Sequence, residues 1–114
     1  MENISEKRRH PRIKVEWPVI VYHGDDFIEG KTENIAFDGI SIVCEEPLQL
    51  DEIINISIET PDQQSMVVSA SVVWSDVYGF DDQNTTYGIG LCFVKISDED
   101  RIRFLDLMSH LPEE

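Results

Sequence analysis

Apolar and polar residues alternate with a period of two in segment after segment between residues 18 and 93, and the pattern predicts six strands. Pro18–His23 is the first, closed by the turn Gly24-Asp25-Asp26. Residues 27–35 form a weaker second strand with Gly30 as a candidate bulge. The turn Asp38-Gly39 leads into a third over residues 40–44, which Glu45-Glu46-Pro47 ends. Ile54, Ile56 and Ile58 alternate with Asn55, Ser57 and Glu59, which is the pattern of a strand with one face in a core and one in water. Residues 66–75 put Val68, Ala70, Val72 and Trp74 on one face, and residues 76–85, with Asp76, Asp81 and Asp82, read as an exposed loop. In the last strand Tyr87, Ile89, Leu91 and Phe93 share a face, with Gly88 and Gly90 on the other. Trp74, Leu91 and Phe93 are expected in the core.

The period then changes. Ser97 is a good N-cap, Asp98, Glu99 and Asp100 suit the positive end of a helix dipole, and Ile102, Phe104, Leu105, Met108 and Leu111 make an apolar stripe. A helix over 97–111 is predicted, stopped by Pro112 and packed on the strands. Six short strands without intervening helices, then one helix, define an all-β fold with a C-terminal helix, either a sandwich or a small closed barrel. At 114 residues the chain has the length of one domain.

Charge divides the chain in two. It carries 9 Lys and Arg against 23 Asp and Glu, a net charge of −14. Yet Lys7, Arg8, Arg9, Arg12 and Lys14 fall in the first fourteen residues, which makes that segment +3 and leaves the rest at −17. Clustered like charges repel, so folding gives no reason to gather them. An anionic partner does, because guanidiniums match phosphate oxygens and the O6/N7 edge of guanine bidentately. Residues 1–14 lack apolar periodicity and read as a flexible basic arm, with residues 15–114 as the folded domain. A merely solubilising tail is the plain alternative. The acidity of the whole argues against a nucleic-acid binder, as does the lack of an aromatic run for base stacking. The opening Met-Glu-Asn-Ile-Ser-Glu-Lys holds no apolar run, no stretch has the length of a membrane span, and Cys44 and Cys92 stand far apart within strands. A reduced, cytoplasmic setting is the expectation.

The search for reaction chemistry turns up nothing. His10, His23 and His110 are scattered and predict no metal site. There is neither a Gly-x-Ser-x-Gly elbow nor a phosphate loop, and the carboxylates fall on loops and solvent faces. No enzyme and no cofactor is predicted. The one other distinctive stretch is Asn34-Ile35-Ala36-Phe37-Asp38-Gly39 at a strand-to-strand turn, where Asn34 offers donor and acceptor to a base edge and Gly39 allows a close approach.

Arg8-x-x-x-Arg12 followed by Asn34-x-Ala36-x-x-Gly39 resembles the two-part signature of PilZ domains, RxxxR and then (D/N)xSxxG. Val72-Val73-Trp74 and Tyr87–Phe93 are similar to that family's second half, so the resemblance covers roughly residues 7–110. It implies a six-stranded antiparallel β-barrel and a bacterial receptor for cyclic di-GMP that signals to a protein partner in a motility or exopolysaccharide pathway. It implies further that Arg8 and Arg12, with Arg9 assisting, grip phosphates and guanine edges, and that Asn34, Ala36 and Gly39 line the guanine site. The arm is expected to become ordered when the ligand binds. Ala36 departs from the pattern, which has serine there. That leaves a second reading, a PilZ-like adaptor that works through protein contacts without nucleotide.

Overall fold

The structure, a computed structural model, describes residues 12–80 and 84–112. Six of its strands close on themselves: β2 (Pro18–His23), β3 (Asp26–Ala36), β4 (Gly39–Cys44), β5 (Ile53–Glu59), β6 (Ser65–Phe80) and β7 (Thr85–Lys95). Every pairing is antiparallel, and the ring runs β2–β3–β4–β7–β6–β5 and back to β2. The closed-barrel alternative is therefore the one realised. A two-residue strand, β1 (Ile13–Lys14), adds to β3, with Ile13 opposite Ile35.

Burial follows the period-two pattern closely in most staves. Val19 and Val21, Ile40 and Ile42, Ile54, Ile56 and Ile58, Met66, Val68, Ala70 and Val72, Ile89 and Leu91 all point inward. Such β-branched and aliphatic side chains fill a small barrel without a lumen. The one fully buried hydroxyl in this set, Thr32, is satisfied: its Oγ1 accepts from the Trp17 N–H at 2.8 Å and its O–H donates to the Val15 carbonyl.

Helix α1 (Asp98–Ser109) plugs one end of the barrel, capped as the sequence predicts, with the Ser97 Oγ accepting from the Asp100 N–H at 3.1 Å. Phe104 is wholly buried. It meets Trp17 and Phe93 edge-on, with ring centroids 6.5 and 5.4 Å away. Arg103 binds the helix to the β5–β6 turn through Asp62, at 3.0 Å, and Thr60, at 3.3 Å. No helix among the described residues is long and apolar enough to cross a membrane.

Three expectations need correction. Trp74 is not in the core: it is 39 % exposed, because β6 carries a bulge in which Val72 faces Leu91 and Trp74 faces Gly90, with Val73 as the extra residue. One added residue reverses the alternation, so Trp74 comes to lie on the outer face. Residues 76–80 are not loop, since β6 continues to Phe80 and pairs with β7 from Tyr87 back to Thr85. Phe93 is only half-buried, although it packs on Phe104. At the N-terminus Ile13 is 2 % exposed and paired, so the described fold begins two residues inside the stretch read as arm. Arg8, Arg9 and the rest of residues 1–11 lie outside the described residues, as do Asp81 and Asp82.

Candidate functional site

The turn between β3 and β4 is built by close approach. Gly39 pairs with Cys92 on β7, and a Cβ placed on it would sit 2.1 Å from the Leu91 carbonyl oxygen. Only glycine lets β4 start so near β7. The Phe93 N–H donates to the Asp38 carbonyl at 2.9 Å, and Arg101 of the helix donates to the Phe37 carbonyl at 3.2 Å. Its guanidinium also lies 5.4 Å from the centre of the Phe37 ring. The turn is thus held by a strand on one side and by the helix on the other.

Beside this turn the outer wall of the barrel is hollowed, with a volume of about 450 Å³. That lies within the range of small-molecule sites, roughly 300–1,000 Å³. Arg12, Asn34, Ala36 and Gly39 all line it. Four of the six residues singled out in the sequence therefore meet in one place, although more than twenty positions separate Arg12 from Asn34. The other two, Arg8 and Arg9, lie outside the described residues.

Several lining residues were not read from the sequence as site residues: Glu33, Ser41, Trp74, Tyr78 and Cys92. Their positions follow from the register. Asn34 faces Ser41, Ser41 faces Gly90 and Gly90 faces Trp74, so one row crosses β3, β4, β7 and β6 on the outer face. Gly90 has no side chain, and the Trp74 indole occupies its place, with Nε1 only 2.0 Å from where a Cβ would stand. Tyr78 covers Gly88 in the same way. The two rings lie 6.4 Å apart at 30° and make a tilted aromatic wall.

The electrostatics of the hollow are mixed. Glu33 and Asp38 outnumber Arg12 among the described lining residues. Tyr78 donates its O–H to Glu33 at 2.8 Å. Burial of its ring, then that bond and the charges of Glu33 and Asp76, push the Tyr78 phenol up to about 12. The hydroxyl is a firm donor at neutral pH. Two other hollows, of about 530 and 580 Å³, are lined by Glu29 with Glu59 and by Glu29, Lys31 and Glu45, and neither holds an arginine. No group of three or more His, Cys, Asp or Glu side chains that could hold a metal occurs among the described residues.

The structure is thus a closed antiparallel barrel plugged by its last helix, with an arginine, an amide and an aromatic wall around an open hollow. The chain belongs to the PilZ domain family, whose model matches residues 6–110. Among solved structures it is similar to the PilZ domain with c-di-GMP of YcgR from Escherichia coli, at 15 % identity over 92 % of this chain and 91 % of that one, TM-score 0.76. The K. pneumonia MrkH–c-di-GMP complex is similar at 17 % identity, over 90 % of this chain and 51 % of that one, TM-score 0.77. Bacillus subtilis MotI/DgrA, an inhibitor of motility, is similar at 19 % identity, over 88 % of this chain and 48 % of that one, TM-score 0.70. This chain spans about half the length of the latter two. No curated protein matches it significantly.

Proposed function

We propose that this chain is a cyclic di-GMP receptor module of the bacterial cytoplasm. The observation that carries the reading is the convergence of Arg12, Asn34, Ala36 and Gly39 on a single hollow of about 450 Å³. Arg12 presents a planar donor fork to a phosphate or to the guanine O6/N7 edge. Asn34 reads a base edge, Gly39 lets the turn lie close against β7, and Trp74 offers a π-face for stacking. Two of the similar structures are described as holding cyclic di-GMP, which supports the same ligand here.

The charge balance sets the division of labour. With Glu33 and Asp38 against Arg12 among the described lining residues, the hollow repels a dianion until more cations arrive. Arg8 and Arg9 supply them in this reading: the ligand recruits the basic arm across the hollow, and the rearranged arm is the surface that a protein partner in a motility or exopolysaccharide pathway reads. Backbone relaxation of residues 7–12, measured with and without ligand, tests that ordering.

The direct test is calorimetric titration with cyclic di-GMP. Arg12→Ala should weaken binding by roughly 10–100-fold, since a hydrogen bond to a charged group contributes about 1.5–3 kcal/mol. Affinity should fall as salt rises. A second reading, an adaptor that needs no nucleotide, is favoured by Ala36, whose methyl supplies no hydrogen bond, and by the two carboxylates. No heat and no chemical-shift change at high protein concentration would establish it in place of the first.

A further inference from the structure

We propose that Ser41 is a ligand-binding residue of this site, its hydroxyl contacting the bound nucleotide beside Asn34. The inference rests on the receptor reading above and deepens it. Ser41 is 93 % buried, and its Oγ finds no hydrogen-bond partner among the described residues. No other side-chain atom of the described residues stands in that condition. Buried polar groups are nearly always paired, because an orphaned one loses its water and gains nothing in return. Thr32 and Thr60, the other buried polar side chains among the described residues, illustrate the rule, each with its hydroxyl bonded.

The orphan also stands in a telling place. Ser41 lines the hollow, and the strand register sets it between Asn34 and Gly90 on the outer face. Its side chain therefore shares the outer face with that of Asn34, on the wall of the hollow. Gly90 has no side chain to close that side, and the Trp74 indole that lies over it, 39 % exposed, tilts in this proposal as a ring stacks on it. Ala36, on the same wall, offers only a methyl group. A hydroxyl that can donate and accept serves either the O6/N7 edge or the N1/N2 edge of guanine. In the free protein the cost of leaving it unpaired is a standing one, and ligand binding removes it.

Two readouts separate this role from a packing role. Ser41→Ala should leave the melting temperature of the free protein unchanged or raise it, because no bond is lost and a desolvated group is removed. The same variant should bind cyclic di-GMP roughly threefold to tenfold more weakly, the worth of one hydrogen bond. Ala36→Ser added to Ser41→Ala should recover part of that loss. If the wild type binds and Ser41→Ala binds equally well, the proposal is overturned while the receptor reading stands. A clear fall in the melting temperature of Ser41→Ala would overturn it too, by revealing a partner for the hydroxyl in the free fold. If the wild type itself gives no titration with cyclic di-GMP, the receptor reading fails first and this contact with it.

Discussion

Adding one methyl group at Gly39 tests how the binding turn is built. A Cβ there would stand 2.1 Å from the Leu91 carbonyl oxygen and 3.2 Å from the Cys92 Cα. Real Cβ contacts do not fall below 3.0 Å, so β4 and β7 must part by about 0.9 Å at their paired ends. The obstacle is backbone on a stave of a closed barrel and has no rotamer to escape into. A shift of that size takes the bond from the Phe93 N–H to the Asp38 carbonyl, now 2.9 Å, out of hydrogen-bonding range. The lost bond costs about 0.5–1.5 kcal/mol and the overpacking about 1–3, for a total of roughly 2–4 kcal/mol. In a domain of this size that lowers the melting temperature by roughly 10 °C. Gly90→Ala is the control. Its new Cβ meets the Trp74 indole, the end of an exposed side chain that can swing into solvent, so the cost should stay within about 1 kcal/mol. Calorimetric melts of both variants without ligand give the comparison. Equal losses, or a harmless Gly39→Ala, would refute the close-approach account of the turn.

Phe104→Ala, at a wholly buried position between Trp17 and Phe93, should cost about 3–5 kcal/mol in urea unfolding and loosen the helix from the barrel. Ala36→Ser should tighten cyclic di-GMP binding by up to about tenfold, read by calorimetry, with less gain the more fully Ser41 already fills the need. The Tyr78 phenol, pushed up to about 12, should be absent from the ordinary tyrosine titration near pH 10 followed by ultraviolet absorbance, and Tyr78→Phe should remove the late step. Because the folded value lies above the unfolded one, this group's contribution to stability is whole below pH 10 and is lost as the pH rises from 10 toward 12.

Where a stave is regular, its sequence was enough to read it. Ile54, Ile56 and Ile58 carry one face of β5 into the core with no interruption, and Ser97 with its acidic followers starts the helix where side-chain capping demands. The turn from Asn34 to Gly39 was legible for a related reason: an amide, an Asp-Gly pair and a spacing of five leave few local conformations. Trp74 was not, because nothing in Val72-Val73-Trp74 marks Val73 as the residue that faces nothing across the ladder. A bulge is settled by how two strands twist past each other, and no single strand encodes that. The strand character of residues 76–80 was hidden by Asp76 and Gly79, which are poor strand formers held there by pairing with β7. Ser41 looked like an ordinary polar step between Ile40 and Ile42, and its lack of a partner exists only once three strands are side by side.

The bulge at Val73 has a consequence for how this module can change over generations. Substitutions at Val73 alter a half-exposed aliphatic group on the wall of the hollow and leave the strand register in place. Deleting that one codon would pull Trp74 through the wall into the barrel, turn Tyr78 off its glycine, and leave the row from Asn34 to Gly90 bare. One missing residue at this point would therefore undo the aromatic wall in a single step, where a substitution at the same position would leave the register intact.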